Sequence, residues 1–133
     1  MPAVRIAFIA CGFVFAASGI ASFSAGLALR KADLAARAQD WDSCKSFAQR
    51  AVARNRAAGY GWYYLGVSEG MAGSSDSAIE NLRRASATMQ NPPVALFSLG
   101  EIAAQAGRAQ EAAEALSRAL LITPRPRLHP DEQ

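Results

Sequence analysis

The feature that most constrains this chain of 133 residues is an internal repeat. Residues 59–90 and 93–124 align at an offset of 34 without a gap and share nine identical residues. An offset in this range is typical of repeat architectures, in which each unit buries its apolar face against its neighbours. The identities are Leu65, Gly66, Ala72, Gly73, Ala78, Glu80, Leu82, Arg84 and Ala85 with Leu99, Gly100, Ala106, Gly107, Ala112, Glu114, Leu116, Arg118 and Ala119.

The composition of the repeat favours helices over strands. Hydrophobic residues make up 51% of the chain but aromatic residues only 8%, and alanine is abundant. Gly66 and Gly100 fall in the middle of predicted helices, where glycine costs about 0.5–1 kcal/mol relative to alanine. Such a residue is expected where a second helix crosses closely. Gly73 and Gly107 suit the turn between the two helices of a unit.

These motifs resemble the tetratricopeptide repeat (TPR), whose pattern is W-x2-L-G-x2-Y, then A-x3-F, then a late proline. The resemblance implies an all-α array of helix–turn–helix units. Glu69 and Ala103 replace the tyrosine that the family prefers, and leucine replaces phenylalanine. The matching residues are Trp62, Leu65, Gly66, Ala78 and Leu82 in one unit, and Leu96, Leu99, Gly100, Ala112, Leu116 and Pro124 in the next.

A weaker unit can be placed upstream at the same offset. Ala38, Arg50 and Ala51 align with identical residues, but Lys31 and Ala32 replace the Leu-Gly pair. Cys44 aligns with the small residues Ala78 and Ala112, which predicts a buried structural thiol. The chain therefore predicts about 2.5–3 TPR-like units preceded by a hydrophobic helix. The first expected helix covers 4–38, either continuous or interrupted near Gly26. The others cover about 41–56, 59–72, 75–89, 93–106 and 109–122.

Residues 6–29 contain no charged side chain, and Arg30 and Lys31 close this uncharged run. As a helix it would be about 36 Å long, enough to cross a bilayer core. Its length favours a retained single-pass anchor, whereas small residues such as Gly19 and Ala21 favour a cleaved signal segment. The expected divisions are 1–29 as anchor or signal, 30–123 as repeat domain and 124–133 as a proline-rich flexible tail.

Two features of the sequence give opposite indications of the membrane orientation. The basic residues Arg30, Lys31 and Arg37 after the run favour a cytoplasmic C-terminal part. The signal-like architecture favours export. We expect the repeat domain on the exported, periplasmic side of the membrane. The alternative is a soluble exported protein, released after signal cleavage.

The residue inventory indicates neither catalysis nor a cofactor. His129 is the single histidine and lies beside Pro130 in the tail, and neither Cys11 nor Cys44 belongs to a CxxC motif. No Ser/His/Asp set or phosphate-binding loop is present, so we expect no enzyme, no cofactor and no metal site. The net charge of +3 does not require a nucleic-acid partner. The basic series Lys45, Arg50, Arg54 and Arg56 is interpreted as the solvated face of one outer helix.

The TPR resemblance implies a concave groove, lined by the first helix of each unit, that binds a partner protein. Aromatic side chains exposed there would mark the binding surface. The alternative is that Tyr63, Tyr64 or Phe97 fill the small core of the domain. The predicted groove residues are Leu29, Asp33 and Arg37 in the first unit, Tyr60, Tyr63, Val67 and Met71 in the second, and Val94, Phe97, Glu101 and Gln105 in the third.

The last helix has no capping helix after it, although repeat arrays need covered ends. Ala113, Leu120 and Leu121 are therefore predicted to form an open-end interface, covered by the tail, another protein or a second copy. The resulting hypothesis is a membrane-anchored or exported scaffold that binds proteins in a membrane or envelope complex. The alternative is an accessory or assembly subunit of a membrane complex, contacted mainly through residues 6–29.

Overall fold

A computed structural model describes Ile20 and residues 22–123, in which all regular secondary structure is helical. The predicted all-α class is confirmed for these residues. The parts of the predicted first helix before residue 20, and the tail after residue 123, lie outside them. The helices of this part of the chain are α1 over residues 22–37, α2 Trp41–Arg54, α3 Gly59–Met71, α4 Ser75–Thr88, α5 Pro93–Gln105 and α6 Ala109–Ile122.

The helix ends agree with the predicted bounds to within one or two residues. The largest difference is at the end of α2, which was predicted near residue 56: Asn55 is extended (φ −145°, ψ 101°), so the helix ends at Arg54. The Asn55 side chain also accepts a hydrogen bond from the Ala57 amide, which fixes the turn toward α3. Arg56 therefore lies in a loop and not on the outer helix.

The turn inside each helix pair recurs with the period of the sequence. Gln39, Gly73 and Gly107 occupy equivalent positions in successive units and all have a positive φ, at 57°, 86° and 77°. The next amide in each case donates to a carbonyl five residues earlier: Asp40 to Ala35, Ser74 to Glu69 and Arg108 to Ala103. This is the bond pattern of a glycine-type helix C-terminus. The first helix pair therefore closes like the other two, although it lacks the Leu-Gly pair.

The shared turn geometry predicts how substitutions at these positions change the stability of the domain. Gly73→Ala is expected to lower the free energy of unfolding by about 1 kcal/mol, because alanine is strained at positive φ. Gln39→Gly should raise it by less, since the relief of strain is partly offset by greater freedom of the unfolded chain. Denaturation followed by circular dichroism measures both. Equal stability of Gly73→Ala and the unmodified protein would contradict the turn geometry.

Close helix crossings account for the glycines of the repeat. A Cβ atom on Gly66 would lie 2.7 Å from Leu82 Cγ, and one on Gly100 would lie 2.6 Å from Leu116 Cγ. Both distances are too short for ordinary contact, so each crossing requires glycine. The predicted close approach of the paired helices is thus confirmed in the second and third units.

The core lies between the helix pairs. Its largest cluster joins α4, α5 and α6 and includes the buried Ile79, Leu82 and Leu96. A second cluster joins the first pair to α3 and contains Cys44, which is fully buried as predicted. Burial, followed by the negative charges of Asp40 and Asp33, raises the pKa of the Cys44 thiol.

The helices form two layers. Among α2 to α6, each helix packs against the next one along the chain and α3 also packs against α5, whereas the backbones of α2, α4 and α6 stay apart. A side-chain ion pair between Arg83 and Glu111 joins α4 to α6. The helices α1, α3 and α5 therefore make up the inner side of the array. No helix within the described part of the chain is long and apolar enough to span a bilayer.

Candidate protein-binding groove

The central part of the inner side is the face of α3. Tyr60, Tyr63, Val67 and Met71 are spaced by three or four residues and therefore share one face of this helix. Tyr60 is 46% exposed and Met71 is 61% exposed, whereas Tyr63 and Val67 are half-buried. Large apolar groups thus face solvent at both ends of the α3 face.

The α5 face continues this surface. Val94 and Phe97 are exposed, Phe97 by 38%, and Glu101 and Gln105 follow on the next two turns. The apolar residues lie near the start of α5 and the polar ones near its end. The α5 side of the surface therefore changes from aromatic to acidic along its length.

Tyr63 belongs to both the core and the surface. Its ring packs edge-on against Tyr60 (centroids 6.5 Å apart) and Tyr64 (5.3 Å). It also packs against buried residues of the two clusters that involve α4 and α5. Part of the Tyr63 ring therefore fills the core, as the alternative predicted. Tyr60 and Phe97 are both more exposed than Tyr63.

A cavity of about 350 Å³ opens between α1 and α3, next to these aromatic rings. Its walls are mainly apolar side chains, joined by one arginine and one aspartate. Such a concave site can accept one large side chain of a bound segment. The lining residues are Leu29, Arg30, Asp33, Leu34, Tyr60 and Tyr64.

A short polar network forms one wall of the cavity. The Tyr64 hydroxyl donates to Asp33 Oδ1 at 2.7 Å, and Arg37 Nε donates to Asp33 Oδ2 at 3.0 Å. The Tyr64 bond, followed by Arg37, lowers the pKa of Asp33, so this carboxylate stays ionised at neutral pH. Burial and the same carboxylate raise the pKa of Tyr64. The network holds Tyr64 against α1 and fixes the cavity wall.

Two charged groups of this surface lack an opposite charge. Arg30 lies on the cavity wall, and no carboxylate of the described residues comes within 4.0 Å of it. Glu101, on α5, likewise forms no ion pair among the residues that the structure places. The surface therefore presents a free positive group on its α1 side and a free negative group on its α5 side. We call this surface, from Leu29 to Arg37 on α1, Tyr60 to Met71 on α3 and Val94 to Glu101 on α5, the aromatic groove.

The structure adds Arg30, Leu34 and Tyr64 to the groove residues predicted from sequence. Leu34 is 65% exposed although Ser68, its equivalent in the next unit, is fully buried. No described element covers Leu34, which lies on α1, the first of the described helices. The signal in the sequence was the change from serine to leucine at a position that the repeat would otherwise bury.

The predicted open end is also exposed. Leu121 is 84% exposed, and Leu120, Ile122 and Ala113 also face solvent. Their equivalents in α4 include the fully buried Ile79, which aligns with Ala113. The surface of α6 therefore presents apolar residues where an inner unit would meet its neighbour.

Within residues 22–123, no group of three or more His, Cys, Asp or Glu side chains is placed to hold a metal ion. No known family model and no curated protein sequence matches the chain.

Proposed function

We propose that the chain is a TPR-like scaffold that binds a segment of a partner protein along the aromatic groove. The observation that supports this most is the exposure of Tyr60, Met71 and Phe97 on the inner side of the array, where Tyr60 also lines a cavity of about 350 Å³. Exposed aromatic side chains next to a pocket are typical of the sites that contribute most to protein–protein affinity.

The chemistry of the groove indicates how the segment would bind. An apolar side chain would occupy the cavity and contact Leu34 and Tyr60. An acidic group nearby would pair with Arg30, and a basic group at the other side would pair with Glu101. Charge complementarity of this kind sets the direction of the bound segment more than its affinity.

The same proposal includes the membrane. The part of the uncharged run 6–29 that precedes the packed residues of α1 would anchor the chain as a single pass, because Ser24 already contacts Arg54 and Ala25 is buried in the domain. The repeat domain would lie on the exported side, with its partners in a membrane or envelope complex. The absence of any charged residue from this long run supports the anchor. An array on a short tether would hold its partner near the bilayer surface.

The test compares groove variants with a matched surface variant. A photo-crosslinking residue at Phe97 identifies the bound protein from mild detergent, and Tyr60→Ala and Phe97→Ala are then measured against it. Loss of an aromatic anchor typically costs about 2 kcal/mol or more, so each variant should bind about thirtyfold more weakly. Glu114→Ala, on the outer helix α6, should bind like the unmodified protein.

Circular dichroism first establishes that all variants are folded, so that loss of binding is not loss of structure. The proposal fails if Tyr60→Ala and Phe97→Ala retain the partner at full affinity. Release of the partner by changes at Leu120 and Leu121 would then assign binding to the open end. Release by changes within residues 6–29 would assign it to the membrane segment of an accessory subunit.

A further inference from the structure

The charges of the folded domain are separated along the helix axes. All acidic residues within residues 22–123 lie in the C-terminal half of α1, α3 or α5, or at or near the start of α2, α4 or α6. Because neighbouring helices run in opposite directions, these places meet at one end of the array, which we call the acidic end. The residues are Asp33, Asp40, Asp42, Glu69, Asp76, Glu80, Glu101, Glu111 and Glu114.

Helix capping does not explain this separation. Acidic residues stabilise a helix near its N-terminus and oppose the helix dipole near its C-terminus. Asp42, Asp76 and Glu111 fit this rule at the start of their helices. Asp33 and Glu69 lie near the C-termini of α1 and α3, where the rule disfavours them. The positions of the acidic residues therefore correlate with one end of the domain and not with the dipole direction of each helix.

Basic residues near the acidic end have acidic partners. Lys45 Nζ lies 3.7 Å from Glu69 Oε1, and Arg37 pairs with Asp33 at 3.0 Å. Arg83 and Arg108 both pair with Glu111, and Arg108 also pairs with Asp76. The positive charges at this end are thus largely neutralised within the fold.

Several basic residues in the middle of α1 and toward the opposite end of the array have no such partner, although Arg84, which lies beside Arg56, pairs with Glu80 at 3.3 Å. Lys31, Arg50, Arg54 and Arg56 have no carboxylate within 4.0 Å in the described part of the chain. Lys31 Nζ and Arg50 Cζ lie 5.6 Å and 5.7 Å from the centre of the Phe47 ring. Both charges thus contact the same aromatic ring, which does not neutralise them. We call Lys31, Arg50, Arg54 and Arg56 the basic end.

The start of α1 lies at the basic end. Arg54 Nη1 donates to the Ser24 carbonyl oxygen at 3.4 Å, which places the end of α2 beside the start of α1. Leu27 and Lys31 line the same surface as Arg50 and Arg54. The uncharged run of residues 6–29 thus joins the described fold here.

Exposed apolar side chains accompany these charges. Phe23 is 77% exposed, and Leu27, four residues later on the same side of α1, is 48% exposed. Ile20, just before α1, is also exposed. Leu120 and Leu121 lie at the same end of the array, because α6 runs parallel to α2 and both helices end there. Unpaired arginines beside exposed aromatic and aliphatic groups are the composition of surfaces that lie in a lipid headgroup layer.

We propose that the basic end is a docking surface for an anionic lipid bilayer. Lys31, Arg50, Arg54 and Arg56 would contact lipid phosphates, while Phe23 and Leu27 would enter the headgroup layer. The domain would then stand with its acidic end away from the membrane. A nucleic acid offers the same phosphates but no apolar phase for Phe23 and Leu27, so lipid fits the surface better.

This inference does not depend on the aromatic groove, and its test uses the full chain in vesicles. A fluorescent label is attached through Ala57→Cys near the basic end, or through Ala72→Cys near the acidic end, in a Cys11→Ala background. Cys44 is buried and stays unlabelled. Quenching by headgroup-linked nitroxides is compared in phosphatidylcholine vesicles and in phosphatidylcholine vesicles that also contain phosphatidylglycerol.

We expect the label at position 57 to be quenched more than the label at position 72, and only in the vesicles that contain phosphatidylglycerol. Arg50→Gln with Arg54→Gln should reduce the ratio of docked to undocked domain about fivefold for each arginine removed. Ser77→Glu with Gln110→Glu changes the net charge equally at the acidic end and should leave the ratio unchanged. High salt should reduce docking of the unmodified chain.

Three results would overturn the inference. The first is equal quenching of the two labels, or quenching of the label at position 57 that is the same with and without phosphatidylglycerol. The second is failure of the full chain to remain with vesicles that contain phosphatidylglycerol. The third is protection of the label at position 57 by a DNA duplex but not by these vesicles, which would assign the surface to nucleic acid.

Discussion

Gly100→Leu is expected to unfold the third helix pair. The Cβ position of residue 100 is only 2.6 Å from Leu116 Cγ and 2.7 Å from Leu116 Cδ2, and Ala112 O lies 3.4 Å away. Overpacking of a tight core typically costs about 1–3 kcal/mol, and here α5 and α6 must also separate to admit the side chain. In a domain of this size about 2 kcal/mol corresponds to a fall in Tm of about 10 °C.

Thermal unfolding followed by circular dichroism measures this loss. Ala104→Leu is the matched control, because Ala104 is on the same helix but exposed. It should keep the Tm of the unmodified protein within a few degrees. An unchanged Tm for Gly100→Leu would show that α5 and α6 do not cross at this glycine.

Leu96→Ala is expected to produce the second large loss. Leu96 is 1% exposed and lies in the cluster that joins α4, α5 and α6. Truncation of a buried leucine leaves a cavity and typically costs about 2–5 kcal/mol. Leu121→Ala removes the same atoms from a side chain that is 84% exposed, and should change stability by about 0.5 kcal/mol or less.

Urea denaturation of the two leucine variants gives the comparison directly. A loss at Leu121 as large as the loss at Leu96 would mean that the end of α6 is covered, by a second copy or by the chain itself. A stability loss of Leu121→Ala that depends on protein concentration would indicate a second copy. A loss that does not depend on concentration would indicate that the chain itself covers the end of α6.

The period of the sequence predicted most of the fold. The nine identities at an offset of 34 located α3 to α6, because repeated units must repeat their crossings and turns. The first unit was harder to recognise, since Lys31 and Ala32 replace Leu-Gly and Gln39 replaces the turn glycine. Backbone geometry at Gln39 is shared with Gly73 and Gly107, and the turn tolerates the strain of a glutamine there.

The groove was only partly predictable. Counting along the repeat placed Tyr60, Tyr63 and Phe97 on one side of the array. It could not predict how much of each aromatic ring is buried in the core. The burial of Tyr63 depends on contacts with Tyr60, Tyr64 and residues of other helices. Arg30 and Leu34 were missed because a repeat pattern describes inner units, and the exposed side of a terminal unit follows different rules.

The charge separation was not predictable from single helices. The sequence suggested one solvated basic face formed by Lys45, Arg50, Arg54 and Arg56. The structure divides this series, because Lys45 pairs with Glu69 of α3 whereas Arg50 and Arg54 lie further along α2, beside the start of α1. Only the antiparallel order of the helices brings distant acidic residues to one end and leaves the other end positive.

The two-layer packing has a mechanical consequence for the groove. Within residues 41–122, the backbones of the outer helices α2, α4 and α6 stay apart, and the Arg83–Glu111 ion pair joins α4 to α6 through side chains. The outer helices can therefore spread or close with little disruption of backbone packing, although separation of α4 from α6 would break this ion pair. The array can then bend elastically about the inner contact of α3 with α5, because each helix packs mainly against its neighbours. A bound segment that changes this curvature would stretch or relax the whole array, and the tension would pass along α1 toward residues 6–29.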